Sequence, residues 1–207
     1  MRILDKYNWN RRAHFEFFNT FVDPYFGVTF KVDVTEAYKF SRNNNVSFFV
    51  KYLHATMRAV NEVDNFKYRI NEDNEVVIFD KIHASPTILR PNKTFGFSFV
   101  NYDDDILKFQ NNFLKEKERV FNSTDLFPLV NSIDCIHCSS LPWVNFTGHK
   151  EPFKGGMDSI PKLAFSKMES FGAKKEMEIA VNVNHALVDG YHVGLLCEKL
   201  QFHLNSH

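Results

Sequence analysis

The segment that most limits what this chain can become runs from 177 to 194, MEIAVNVNHALVDGYHVG. Met177, Ile179, Val181 and Val183 alternate with Glu178, Ala180, Asn182 and Asn184, the period of a strand with one apolar face. His185 continues the apolar parity. Asp189 and Gly190 then break the strand and open a closing helix over about 190–204, with Val193, Cys197, Leu200 and Leu204 as its apolar stripe. The chain must therefore end a sheet with this strand and place an imidazole at its exit. Histidine has an ordinary pKa of about 6.5, which suits a general base at neutral pH. On spacing alone, the same residues also read as a core histidine and an N-cap aspartate.

The upstream pattern supplies the partners for that strand. Residues 10–21 repeat Phe15, Phe18 and Phe21 at helical spacing. Residues 27–34 alternate as a half-buried strand, with Val28, Phe30, Val32 and Val34 on one face. Asp33 with Glu36 predicts a capping box for a helix near 35–43. Residues 46–62 carry Phe49, Leu53, Met57 and Val60 on one helical stripe. Short strands are expected at 66–70, 75–79, 82–89 and 94–100, with a turn at 71–74. A helix over 103–120 has acids at its start and bases near its end. Strands follow at 132–138, 143–147, 161–168 and 176–184. These elements do not alternate strictly, which predicts an α+β fold with a mixed β-sheet packed with helices. No linker divides the sequence, so residues 1–207 are expected to form a single domain.

Composition removes several function classes. Formal net charge is zero, with 25 basic and 25 acidic residues and no basic tract, so no nucleic-acid footprint is expected. No apolar run of about 18 residues predicts a membrane span. The charged start MRILDKYNWNRR lacks a signal-peptide core, and a cytoplasmic protein is expected. Cys135 and Cys138 enclose His137, but no second ligand pair follows at metal-site spacing. In a strand, moreover, positions three apart face opposite sides. No metal site is expected, and the cysteines read as buried thiols. The 23 phenylalanines provide apolar area for a dense core and for subunit contacts.

Three colinear segments carry a resemblance: NWNRRAHFEFF at 8–18, SSLPWVNFT at 139–147 and NHALVDGYHVG at 184–194. In order and separation they resemble the chloramphenicol acetyltransferase family of coenzyme-A-dependent acyltransferases. The resemblance implies that family's two-layer α+β fold over nearly the whole chain. It also implies a chloramphenicol O-acetyltransferase-like reaction, with acetyl-CoA as co-substrate, a small hydroxylated acceptor and no tightly bound cofactor. By the same resemblance His185 is the base that deprotonates the acceptor hydroxyl as it attacks the thioester, with no acyl-enzyme. Ser139 donates to the tetrahedral oxyanion, with Ser140 the candidate if the register is off by one. Asp189 forms a structural ion pair with Arg11, with Arg12 as the alternative partner. Trp143, Lys167 and Trp9 fall at CoA-binding positions. Phe18, Tyr25 and Ala164 fall at the acceptor pocket. The resemblance further implies a homotrimer whose active sites lie between subunits.

The match has departures. Phe18 stands where active relatives usually carry tyrosine, Ala164 where a threonine is usual, and Asn184 where a histidine precedes the base. The 148–160 segment, GHKEPFKGGMDSI, is polar where the family is apolar. These changes leave the base and the oxyanion donor in place and rewrite the acceptor side. A second reading is therefore a binding or regulatory trimer without useful turnover. A third, the acyltransferase core of a multienzyme complex, needs a lipoyl module and linker that this sequence does not contain.

Overall fold

The computed structural model describes residues 1–206. In chain order the elements are β1 (Arg2–Ile3), α1 (Arg12–Phe18), β2 (Tyr25–Asp33), α2 (Thr35–Asn43), α3 (Phe48–Glu62), β3 (Tyr68–Ile70) and β4 (Val76–Ile78). Next come β5 (His83–Leu89), β6 (Phe95–Phe97), α4 (Ile106–Phe121), β7 (Cys135–Ser140), β8 (Lys162–Phe165), β9 (Glu169–Phe171), β10 (Lys174–Asn184) and α5 (Gly190–Asn205). No helix among the described residues is long and apolar enough to cross a membrane.

The large sheet has seven strands in the order β2-β10-β8-β7-β5-β6, with β9 paired to β10. β10 runs antiparallel to β2 and β8, while β7 runs parallel to both β5 and β8. This is the mixed sheet of an α+β fold, as the element pattern predicts. β1, β4 and β3 form a separate three-stranded sheet. The apolar parity of the large sheet (Val32, Leu163, Phe165, Met177, Ile179, Val181 and Val183) is buried in one core with Leu53 and Met57 of α3 and Leu196 and Leu200 of α5. The Tyr52 ring of α3 lies 4.9 Å from that of Phe165.

Several local expectations are corrected. The capping box at Asp33 and Glu36 does not form, because β2 keeps Asp33 in the ladder opposite Glu176. Val34 becomes the N-cap without a side-chain bond, Asp33 accepts from the Thr35 amide, and Glu36 pairs with Lys39. A capping box forms instead at α5, where Asp189 caps the helix and His192 reaches back to the Asp189 amide. No strand occupies 143–147. Leu141 makes the last sheet bond, to the Phe165 carbonyl, and a turn closes from the Val144 amide to the Leu141 carbonyl. Pro142 has no N–H to extend the ladder. The strand expected over 94–100 is broken after Phe97 and pairs again only at Val100, opposite Ala84. Its partner strand contains Pro86, whose missing donor interrupts the ladder, and Ser98 Oγ donates to the Pro86 carbonyl instead. Helix α1 is shorter than 10–21, and 66–70 is strand only from Tyr68.

Candidate active site

His185 is the first residue beyond β10, and its amide donates to the Pro24 carbonyl, so the backbone stays tied to the sheet. The imidazole is half-buried. The Phe18 ring stacks on it at 3.9 Å and 8°, and Phe26 approaches at 4.5 Å. Nδ1 is buried and has no hydrogen-bond partner among the described residues. The ring is thus held by aromatic packing rather than by a carboxylate.

Asp189 does not bond the imidazole. Its carboxylate pairs with Arg11 Nη1 and accepts from the Tyr191 amide. Arg11 Nη2 in turn donates to the His185 carbonyl at 3.3 Å. Arg11 therefore joins α1 to the corner that carries the imidazole, with its side chain only 10% exposed. Arg12, the alternative partner, pairs instead with Glu16 at the surface. Burial pushes the Asp189 carboxyl up, but His192 and Arg11 outweigh it and hold it below its ordinary value. Burial lowers His192 despite that neighbour, and its Nδ1 accepts from the Asp189 amide.

Ser139 and Ser140 point to opposite faces of β7. Ser140 shares its row with Phe165, and its Oγ lies 3.1 Å from Tyr52 Oη, on the helical side. Ser139 shares its row with Ala164 on β8, which pairs with Ala180 on β10. The register separates Ser139 from His185. Five residues along β10 correspond to about 17 Å, and two strand spacings add about 10 Å across. Neither side chain spans that gap, so one chain does not bring the two together. Two clefts on the chain, one lined by Asp33, Glu36 and Lys174 and the other by Arg90, Asn92 and Phe121, do not include His185 either.

The Ser139 face of the sheet is polar, and residues beyond those predicted from sequence occupy it. One row reads Ser85, His137, Lys162, Asn182 and Gly27 across five strands. Lys162 is 6% exposed. Its Nζ meets Asp158 Oδ2 and the Pro152 carbonyl, both at 2.6 Å, and lies 4.6 Å from the Tyr25 ring centre. The Tyr25 hydroxyl is 2.8 Å from the Ile160 carbonyl and 3.1 Å from Asp158 Oδ1. Its proton is therefore directed at this pair of oxygens within the same chain. Burial, with Asp158 alongside, raises its pKa above the ordinary tyrosine value. Asn184 Nδ2 donates to the Asp158 carbonyl. The 148–160 segment is thereby fastened over the sheet.

The other predicted residues are placed as follows. Ala164 is fully buried beside Ser139. Trp143 sits on the turn after β7, 68% exposed. Lys167 is exposed, and its amide donates to the Val144 carbonyl, joining the same loop. Trp9 packs at 6.0 Å against both Phe15 and Tyr68, beside Arg11 in sequence. The Cys135 and Cys138 sulphurs contact separate carbonyls, of Ser132 and Ile136, and burial pushes the Cys135 thiol up to about 12. No cluster of metal-binding side chains occurs among the described residues.

Solved structures share this architecture. A dihydrolipoamide acetyltransferase of Azotobacter vinelandii superposes with a TM-score of 0.69 over 94% of this chain and 86% of its own, at 14% identity, a likeness of fold alone. A chloramphenicol acetyltransferase superposes with a TM-score of 0.87 over 98% of this chain and 99% of its own, at 28% identity. The fold is that of a coenzyme-A-dependent acyltransferase. The family model for chloramphenicol acetyltransferase matches residues 1–201, and chloramphenicol acetyltransferase 3 of Escherichia coli is 31% identical over 98% of this chain and 96% of its own length. This chain belongs to the chloramphenicol acetyltransferase family.

Proposed function

We propose that the protein transfers an acetyl group from acetyl-CoA to a hydroxyl of a small acceptor, with His185 as general base. The observation that carries this reading is the way the corner holds His185. Phe18 fixes one face of the ring, Arg11 tethers the main chain, and Nδ1 is closed off, which leaves Nε2 to receive a proton. In the neutral ring Nδ1 carries the proton and Nε2 takes the second one from the acceptor hydroxyl. The alkoxide oxygen attacks the thioester carbonyl directly. The tetrahedral oxyanion needs a donor, and Ser139 on the polar face supplies it. Collapse expels the CoA thiolate, which recovers the proton from His185.

Because the register keeps the two residues apart, the site is completed by His185 of one copy and Ser139 of another, in a homotrimer. Trp143 and Lys167, on the loop just past Ser139, then flank the entry of the CoA chain. Chloramphenicol, named for the relatives, is the first acceptor to try. The departures at Phe18, Ala164 and 148–160 point to a different hydroxylated molecule as the better one.

Thiol release from acetyl-CoA with a panel of alcohols tests the reaction. His185→Ala is expected to cost roughly 10²–10⁴-fold in kcat. Mixed trimers of His185→Ala and Ser139→Ala subunits are expected to regain part of the activity. Failure to release thiol with any acceptor, and no CoA binding by calorimetry, would leave the binding-trimer reading in its place.

A further inference from the structure

We infer that Lys162 and Asp158 set the acceptor class, favouring a polyhydroxylated, hydrogen-bonding acceptor over a flat aromatic one; this rests on the proposed roles of His185 and Ser139. Position comes first. Lys162 is two residues before Ala164 on the same face of β8, and Ala164 pairs with Ser139. That places the ion pair about 7 Å from the oxyanion row. In the other direction the strands lead to the loop of Trp143 and Lys167, assigned above to the CoA chain. The acceptor is left with the end that holds Lys162.

The chemistry of that end follows. Lys162 Nζ has three donors, and two are spent on Asp158 and Pro152. Its ammonium lies 4.6 Å from the Tyr25 ring centre and 6.0 Å from that of Phe153, so both aromatic rings there meet the charge rather than lie open for stacking. Among the described residues Asn182, 4% exposed, has a buried Nδ2 without a partner, and His149, whose main chain runs past it, has a buried Nδ1 that is also unpaired. The two lie together, because a Cβ added at Gly27 would touch both Asn182 and the His149 carbonyl. Spare hydrogen-bonding capacity surrounding a buried charge suits a ligand with several oxygens. An apolar ring seated there leaves those groups unsatisfied. Sites of this kind reject analogues that lack the matching polar groups.

The test measures kcat/KM by thiol release, with acetyl-CoA and sorbitol, methyl glucopyranoside or chloramphenicol. The unaltered enzyme is expected to favour at least one of the two polyols over chloramphenicol by about tenfold or more. In the Lys162→Leu/Asp158→Leu double variant both charges go, a change that buried pairs tolerate, and folding is checked by thermal melting. The preference is expected to move at least about tenfold toward chloramphenicol. His185-dependent turnover that favours chloramphenicol in the unaltered enzyme overturns the inference and leaves the acyl-transfer reading intact. So does an unchanged preference in the folded double variant. Silence with all three acceptors overturns the inference, while the acyl-transfer reading falls only if the wider panel of alcohols is silent as well.

Discussion

Along the middle of β10 and β8 both faces of the large sheet are buried, by opposite chemistry. On β10 and β8 the helical side shows Met177, Ile179, Val181, Val183, Leu163 and Phe165, all 1% exposed or less. The other side shows Asn182, Asn184, Lys162 and Ser166, each between 3% and 6% exposed. Alternation along a strand usually separates core from solvent. Here it separates a core that needs only to exclude water from one in which polar groups need partners. The first face accounts for much of the fold's stability. The second carries Ser139 and the 148–160 fastening, so it is where the groups proposed for oxyanion binding and acceptor choice lie.

Substitutions that act on one face only sharpen that contrast. Lys162→Met leaves Asp158 buried without its cation and is expected to lower stability by about 3–5 kcal/mol, read by denaturant unfolding; a loss under about 1 kcal/mol breaks the picture of a buried pair. Ser139→Ala is expected to lower kcat by roughly 10²–10³-fold with an unchanged melting temperature. Its neighbour Ser140→Ala shows the reverse pattern: kcat close to that of the unaltered enzyme, and a stability loss of about 1–3 kcal/mol from the unpaired Tyr52 hydroxyl. If Ser140 proves the more damaging of the two for kcat, the assignment of faces is wrong.

The gentlest probe is pH. Burial lowers the pKa of His54 on α3 and of His192 and His203 on α5. The unfolded chain takes up these protons at about pH 6.5 while the folded chain resists. Their contribution is therefore present above about pH 6.5 and is lost as pH falls below it. Melting curves from about pH 7 to about pH 5 should show a falling midpoint. Because these three histidines sit on the helices, their share of the slope should survive Lys162→Leu/Asp158→Leu, whereas the share of His137, which burial lowers to about 4 with Asp158 and Lys162 alongside, should change.

How far the sequence foretold this depends on the range of the interactions. The run from Met177 to Gly190 was legible because period-two alternation and a turn signal are local. The Arg11–Asp189 pair spans 178 positions, which no local pattern encodes, and only the resemblance brought the two together. Ser139 and Ser140 were ambiguous by one residue until the Tyr52 contact distinguished them. Lys162 was missed because a lysine on the alternate parity of IPKLAF reads as a solvated side chain. What buries it is the 148–160 segment, whose glycines and charges carry no periodicity. Pro142 and Pro86 offered signals against the longer strands expected around them.

β2 pairs along its whole length with β10, Tyr25 opposite Asn184 and Asp33 opposite Glu176. During synthesis, then, the first long strand has no mate until residues 174–184 have been made. A nascent chain halted before β10 presents an unpaired edge of nine residues, from Tyr25 to Asp33, rich in aromatic and β-branched side chains, for wayward self-association. Losing only the final segment should accordingly turn this protein from a catalyst into an aggregation hazard, with no smaller active fragment along the way.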